Sequence, residues 1–337
     1  MKYRSFGKTD LKVSEIGLGC QSLGGGIYHK DDQESLRTLL QAYDCGFNFY
    51  DVSDHHTQGQ SEKLIGRAFK EKRDRVIITS KAGLLFSPFG NILLKVRPLV
   101  RPVSRFLRSM KSSLHFVRAS QLRYDYSDQY ITQAVENSLK RLQTDYLDLF
   151  QLYKPSSSVI EKGDFIETLD KLKTSGKIRY YGIACRSVED ALICLKYPGI
   201  ASVQVAISLI DQEAMIKLLP SVQEKRIGLI ARHPRAIGLF TDSQSDITGD
   251  TSAYSRSEFR ERTKRAKTFQ FLVKESRTLA QAAIQFVLNL SGVSVVLPRA
   301  VNRRELQENL DALTVPFLTE KELERIYSMN ELELNHA

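Results

Sequence analysis

A chain of 337 residues has room for one large α/β barrel or two smaller domains, and its 42 % of apolar residues is ordinary for a protein with a real core. No apolar run approaches membrane-spanning length, and Met1 to Gly7 leads into no apolar stretch of the signal-peptide kind. The net charge of +10 is local, because residues 84–124 hold eight Lys or Arg and no acid.

Lys2 to Phe6 and Leu11 to Val13 flank the turn Gly7-Lys8-Thr9-Asp10 and predict a hairpin. Glu15 to Leu18 reads as a short strand ending at Gly19. Asp31 to Glu34 supplies an N-cap acid before Leu36, Leu39, Leu40 and Tyr43 at helical spacing. Phe47 to Asp51 is a buried strand that stops on an acid, and a helix follows over 61–71. Val76 to Ser80 is a strand ending on Lys81. Ser127 caps a helix carrying Ile131, Ala134, Val135, Ser138, Leu139 and Leu142, and Leu147 to Leu152 is a strand ending on Tyr153.

The alternation continues to the end. Helix Phe165 to Lys173 precedes strand Tyr180 to Ala184, and helix Val188 to Leu195 precedes strand Ser202 to Ala206. Helix Ala214 to Glu224 precedes strand Gly228 to Ala231, and a polar loop spans 241–257. Helix Leu279 to Leu290 precedes strand Ser294 to Leu297. Helices Arg303 to Leu310 and, capped by Thr319, onward to Met329 complete the chain. Eight strand–helix units in this length predict a single (β/α)8 barrel domain over 1–337, with an N-terminal β-hairpin. No Gly-x-Gly-x-x-Gly joins the first strand to the first helix, which makes a Rossmann domain the weaker reading.

Strand ends in such a barrel hold the chemistry, and the window 47–62 places Asp51 and the loop histidines His55 and His56 there. Capping and solvated loop residues are the bland alternative, and for His55 the favoured one. Cys20, Cys45, Cys185 and Cys194 form no CxxC, which argues against zinc and a disulfide framework and suits a cytoplasmic protein. The basic stretch 84–124 falls between the third strand and its helix, with a short amphipathic helix expected over Val103 to Met110. It reads as a lid over an anionic substrate, as weak contact of 95–118 with a membrane surface or acidic partner, or as a solvated insertion. No motif accompanies it that would make nucleic acid the partner.

The chain resembles the aldo/keto reductases. Five pieces carry the resemblance in the right order: Gly46 to Asp51, Gly59 to Gly66, Ser138 to Leu149, Gly176 to Ile183, and Pro298 to Asn309. The resemblance implies hydride transfer between NAD(P)H and a small carbonyl or alcohol, without a metal. It implies a site of Asp, Tyr, Lys and His, in which a proton donor serves the oxygen that gains charge.

Asp51 and Lys81 match the first and third of these. His56 stands at the Tyr position and Tyr153 at the His position, so the two types are exchanged. A Lys81 cation would push the His56 pKa down and favour the neutral ring, leaving Tyr153 as donor. The cofactor contacts implied are Gly19, Cys20, Asp51, Ala184 and Cys185 (in place of the usual Ser-Asn), Gln204, and Arg232, His233, Arg235 and Gly238 after the seventh strand. In the last loop they are Arg299, Ala300, Glu305, Glu308 and Asn309. Arg299 favours the 2′-phosphate of NADPH, whereas Glu305 opposes it, so NADH stays open. The alternative is a catalytically weak nucleotide-binding relative that senses or docks.

Overall fold

The computed structural model describes residues 1–21, 23, 24, 32–86, 122–241 and 254–334. Its strands are β1 (Tyr3–Ser5), β2 (Lys12–Ser14), β3 (Leu18–Gly19), β4 (Phe49–Asp51), β5 (Ile77–Ala82), β6 (Leu84–Phe86), β7 (Leu122–Tyr124), β8 (Leu147–Tyr153), β9 (Ile178–Ala184), β10 (Ile200–Ala206), β11 (Gly228–Arg232) and β12 (Val293–Leu297). β1 and β2 pair antiparallel as the predicted hairpin. Eight strands pair in parallel in the order β3, β4, β5, β8, β9, β10, β11, β12.

The two edges of that sheet meet. The Gly17 N–H donates to Val296 O (2.9 Å), Val296 N–H donates to Glu15 O (2.9 Å), and Gly19 N–H donates to Pro298 O (3.0 Å). Parallel bridges join Ile16 to Val296 and Gly19 to Arg299. The sheet is therefore the (β/α)8 barrel that the alternation predicts, with no edge left for another chain to pair with.

The helices are α1 (Asp32–Asp44), α2 (Gln60–Phe69), α3 (Asp128–Leu142), α4 (Ser157–Lys162), α5 (Phe165–Thr174), α6 (Val188–Cys194), α7 (Glu213–Lys217), α8 (Leu219–Glu224), α9 (Arg256–Thr268), α10 (Leu279–Leu288), α11 (Arg303–Asp311) and α12 (Glu320–Leu334). α3 shows why such segments are helical. The Ser127 hydroxyl accepts from Tyr130 N–H at its start, and Ile131, Ala134, Val135, Ser138, Leu139 and Leu142 form one buried face.

The helices depart from the sequence reading in three places. The helix expected over 214–224 is two, α7 and α8, because Pro220 has no N–H to give and its ring crowds the carbonyl four residues back. α9 begins inside the span read as a polar loop, where Ser255 and Glu258 form a capping box. α4 is a short unpredicted helix capped by Ser156.

Inside the barrel lie Phe49, Ile77, Leu149, Ile230, Val295 and Leu297, and the hairpin adds Phe6, Leu11 and Val13 to the same cluster. The Phe6 and Phe49 rings are 5.9 Å apart. Gly228 makes room for this plug, since a Cβ there would lie 2.7 Å from the Phe6 ring. The amino end of the barrel is thus stopped with apolar side chains. The ends of the 84–124 insertion are not loop: β6 and β7 pair antiparallel, Leu84 opposite Tyr124. The rest of it, including the helix expected over 103–110, lies outside the described residues. Among the described residues no helix is long and apolar enough to cross a membrane.

Candidate active site

Parallel strands bring their last residues to one level. Asp51 ends β4, Lys81 is next to last in β5, Tyr153 ends β8, Gln204 lies in β10 and Arg232 ends β11. They border a cleft at the carboxyl end of the barrel. Its wall also includes Gly19, Gln21, His56, Lys154, His233, Pro234, Arg235, Ile237, Gly238, Leu297, Pro298 and Arg299.

Lys81 and Asp51 form a buried pair, Nζ to Oδ1 at 2.6 Å, and Nζ also donates to Val52 O at 3.0 Å. The capping reading of Asp51 therefore fails. The Asp51 oxygen accepts as well from Gln204 Nε2 at 3.2 Å, and Gln204 donates to Gln151 Oε1 at 3.4 Å. Arg232 donates to Gln204 O at 3.0 Å. A buried polar chain thus runs across the barrel mouth and fixes the carboxylate.

His56 is half-buried, and its Nδ1 finds no partner among the described residues. Burial first, then His55, then Lys81 hold its pKa well below 6.5. The expected neutral ring is borne out in direction, though burial rather than Lys81 is the main cause. After it, Thr57 (φ 47°), Gln58 (φ 58°) and Gly59 (φ 79°) follow one another in the left-handed region. Two of these three are not glycine, so the loop carries backbone strain.

His55 is not the solvated loop residue favoured from the sequence. Its ring lies between His56 (centroids 4.7 Å apart) and Tyr153 (4.6 Å). Ser53 Oγ lies 2.6 Å from His55 Nδ1 and 3.0 Å from Lys81 O, within hydrogen-bond reach of both. The Asp54 carboxylate lies 3.5 Å from the same nitrogen and accepts from Tyr130 OH at 3.1 Å. Tyr126 OH in turn donates to Tyr153 O at 2.9 Å.

At the far side of the cleft, His233, Ala236, Ile237 and Gly238 all have positive φ (58°, 47°, 59°, 95°). This compact turn aims Arg235 at Glu308 (3.4 Å), at Glu305 (3.8 Å) and at Arg299 O, to which it donates at 2.8 Å. Arg299 lies 3.9 Å from Glu305, whose carboxylate also accepts from Val301 N–H. Asn309 donates to Arg299 O at 3.1 Å, and its buried Oδ1 has no partner among the described residues. Glu305, Glu308 and Asn309 thus stand behind the arginines rather than on the wall.

Four further expected contacts do not line the cleft. Cys20, Ala184, Cys185 and Ala300 are buried, and the thiols of Cys20 and Cys185 turn to the carbonyls of Leu18 and Ile183. All four cysteines are free. The sequence reading missed Lys154, Gln151 and Ser53; only Lys154, directly after a strand-end Tyr, offered a signal.

The sequence and the barrel are matched by known proteins. Residues 15–331 match the Aldo/keto reductase family. The chain belongs to that family. The oxidoreductase YqkF of Bacillus subtilis is 29 % identical, covering 100 % of this chain and 99 % of the relative. An NADH-specific methylglyoxal reductase of Escherichia coli is 26 % identical over 94 % of each chain. Among solved structures, the holo form of aldo-keto reductase AKR11C1 from Bacillus halodurans has a TM-score of 0.75 at 28 % identity, covering 97 % of this chain and 96 % of that one. Aldo/keto reductases are oxidoreductases that use nicotinamide cofactors and act on small carbonyl substrates.

Proposed function

We propose that the protein moves a hydride between a nicotinamide dinucleotide and a small carbonyl or alcohol, with Tyr153 or His56 handling the proton. The observation that carries this reading is the Lys81–Asp51 pair at 2.6 Å, buried at the cleft floor beside both candidate donors. A buried ion pair is a poor stabiliser relative to apolar packing, so its presence at a barrel mouth favours a chemical role. The dinucleotide supplies the hydride. The protein's share is to hold the carbonyl, exclude water and deliver one proton to the oxygen that gains charge.

The residues fit such a cofactor. Two arginines meet at the amino end of α11, where barrels commonly bind phosphate, and Asn309, whose Oδ1 has no partner among the described residues, donates to the Arg299 carbonyl. Arg299 supports NADPH, and Glu305 beside it leaves NADH acceptable. The basic insertion supports an anionic substrate or partner, and the four free cysteines agree with a cytoplasmic setting.

The test is direct. Purified protein should bind NADPH and consume it with members of an aldehyde panel, and Lys81→Met should abolish consumption while binding persists. A protein that binds dinucleotide, turns over no carbonyl, and is indifferent to Lys81→Met would instead be a sensing or docking relative.

A further inference from the structure

Each turnover of the proposed reduction uses one proton, and the group that gives it must be refilled. The cleft that Tyr153 and His56 line is also where dinucleotide and carbonyl would lie, and both displace water from it. Lys81 and Asp51 are sealed, with side chains 2 % and 7 % exposed. His56 carries no extra proton in reserve near neutrality, because burial, His55 and Lys81 keep its pKa well below 6.5.

A polar cluster lies behind that wall. His55 and Asp54 do not line the cleft, yet their side chains are 12 % and 14 % exposed. The His55 ring stands against both candidate donors, its centroid 4.6 Å from that of Tyr153 and 4.7 Å from that of His56. Its Nδ1 lies 2.6 Å from Ser53 Oγ and 3.5 Å from Asp54 Oδ1, and those two oxygens are 3.3 Å apart. Tyr130 OH donates to the other Asp54 oxygen at 3.1 Å and accepts from Gly83 N–H at 3.3 Å, so α3 steadies the carboxylate. Hydroxyl, carboxylate and imidazole thus form a triangle that touches the donors on one side and solvent on the other. An imidazole can take a proton on one nitrogen and release one from the other, which suits a group set between a donor and water.

We propose that His55 refills the proton donor of this site, acting through Tyr153 or His56 and not on the substrate. This rests on the oxidoreductase reading above. As the carbonyl carbon gains the hydride of the reduced dinucleotide, its oxygen takes the proton of the Tyr153 O–H or the His56 N–H. The donor, one proton short, takes a proton from the His55 ring. The ring then recovers a proton from water by way of Ser53 and Asp54. One carbonyl, one hydride and one solvent proton give one alcohol and the oxidised dinucleotide, and His55 ends as it began. Alcohol oxidation runs the same chain in reverse.

The test separates the first turnover from those that follow. His55→Phe keeps a flat ring between the donors and removes both nitrogens. Parent and variant, each loaded with NADPH, are mixed with the aldehyde of the panel that the parent reduces fastest. The first turnover, read by loss of the reduced-dinucleotide absorbance, should stay within about twofold of the parent, because the donor starts protonated. Steady-state kcat in dilute buffer should fall about tenfold or more, while kcat/KM is nearly held, the pattern of a slowed step after the chemistry. In His55→Ala, which leaves space for a small base, added imidazole should restore kcat in proportion to its concentration. A ring that only packs would give neither the split nor the rescue. An unchanged kcat in His55→Phe overturns the relay, and so does a first turnover slowed as much as kcat. A parent that reduces no aldehyde of the panel overturns the oxidoreductase reading and the relay together, whereas an active parent matched by its variant overturns the relay alone.

Discussion

Tyr153 and His56 both line the cleft and both contact the His55 ring, and each is a candidate to handle the proton. Removing a positioned acid costs about 10²–10⁴-fold in rate. Tyr153→Phe or His56→Ala should lower turnover by that amount while dinucleotide affinity stays close to that of the parent. If both variants lose less than about tenfold, neither is the donor. The pH profile separates them. Because burial, His55 and Lys81 hold His56 well below 6.5, it is neutral throughout the range above that value. Activity that depends on neutral His56 should therefore show no inflection between pH 6.5 and about 8, and should fall only in more acid solution. Asp51 and Lys81 were legible because each closes an apolar run, and strand ends converge in a barrel. His55 was not, since the Ser53 and Tyr153 contacts that bury it come from folding. Its neighbours in the sequence say only that a loop is there.

The β12–α11 connection is the element where sequence left the cofactor open. Glu305, in the first turn of α11, takes the Val301 N–H and sits within 4 Å of two arginines. It thereby offsets part of the cation that a 2′-phosphate would meet. Glu305→Gln should favour NADPH over NADH by a further factor of about ten, and Arg299→Ala should move the preference the other way. The chain has no tryptophan, so emission from the bound reduced dinucleotide reads the affinities directly. Unchanged ratios in both variants would show that this loop does not choose the cofactor. Elsewhere, the positions of the barrel strands followed from apolar runs to within a few residues, whereas β6 and β7 did not. The helical errors were local. α9 has a weakly apolar face, so only its Ser255–Glu258 cap announced it, and the break before α8 needed weight on Pro220 rather than on periodicity.

At the scale of the whole molecule, the hairpin and the cleft occupy opposite ends of the barrel. Phe6 fills the floor against Phe49 and Gly228. Phe6→Ala should cost about 3–5 kcal/mol and lower Tm by roughly 5 °C in calorimetry, with dinucleotide binding retained below the transition. A Tm unchanged by this substitution would mean that the hairpin is ornament. Sequence alone could foresee eight strands and the open end that holds the site. It could not foresee that the hairpin's side chains complete the interior, because that depends on which way two short strands fold back.

The seam of the barrel has its own consequence for how the protein is made. Gly17 and Gly19 bond to Val296 and Pro298, almost the full length of the chain away. On the ribosome, the first strand waits for its neighbour until nearly the last codon is read. Until then the nascent sheet has two raw borders, each a row of unsatisfied amides able to recruit a stranger. Closing so distant a contact is slow, and the interval is when aggregation competes. A messenger cut short before the codons for Val293 to Leu297 should therefore yield an insoluble product rather than a smaller working enzyme.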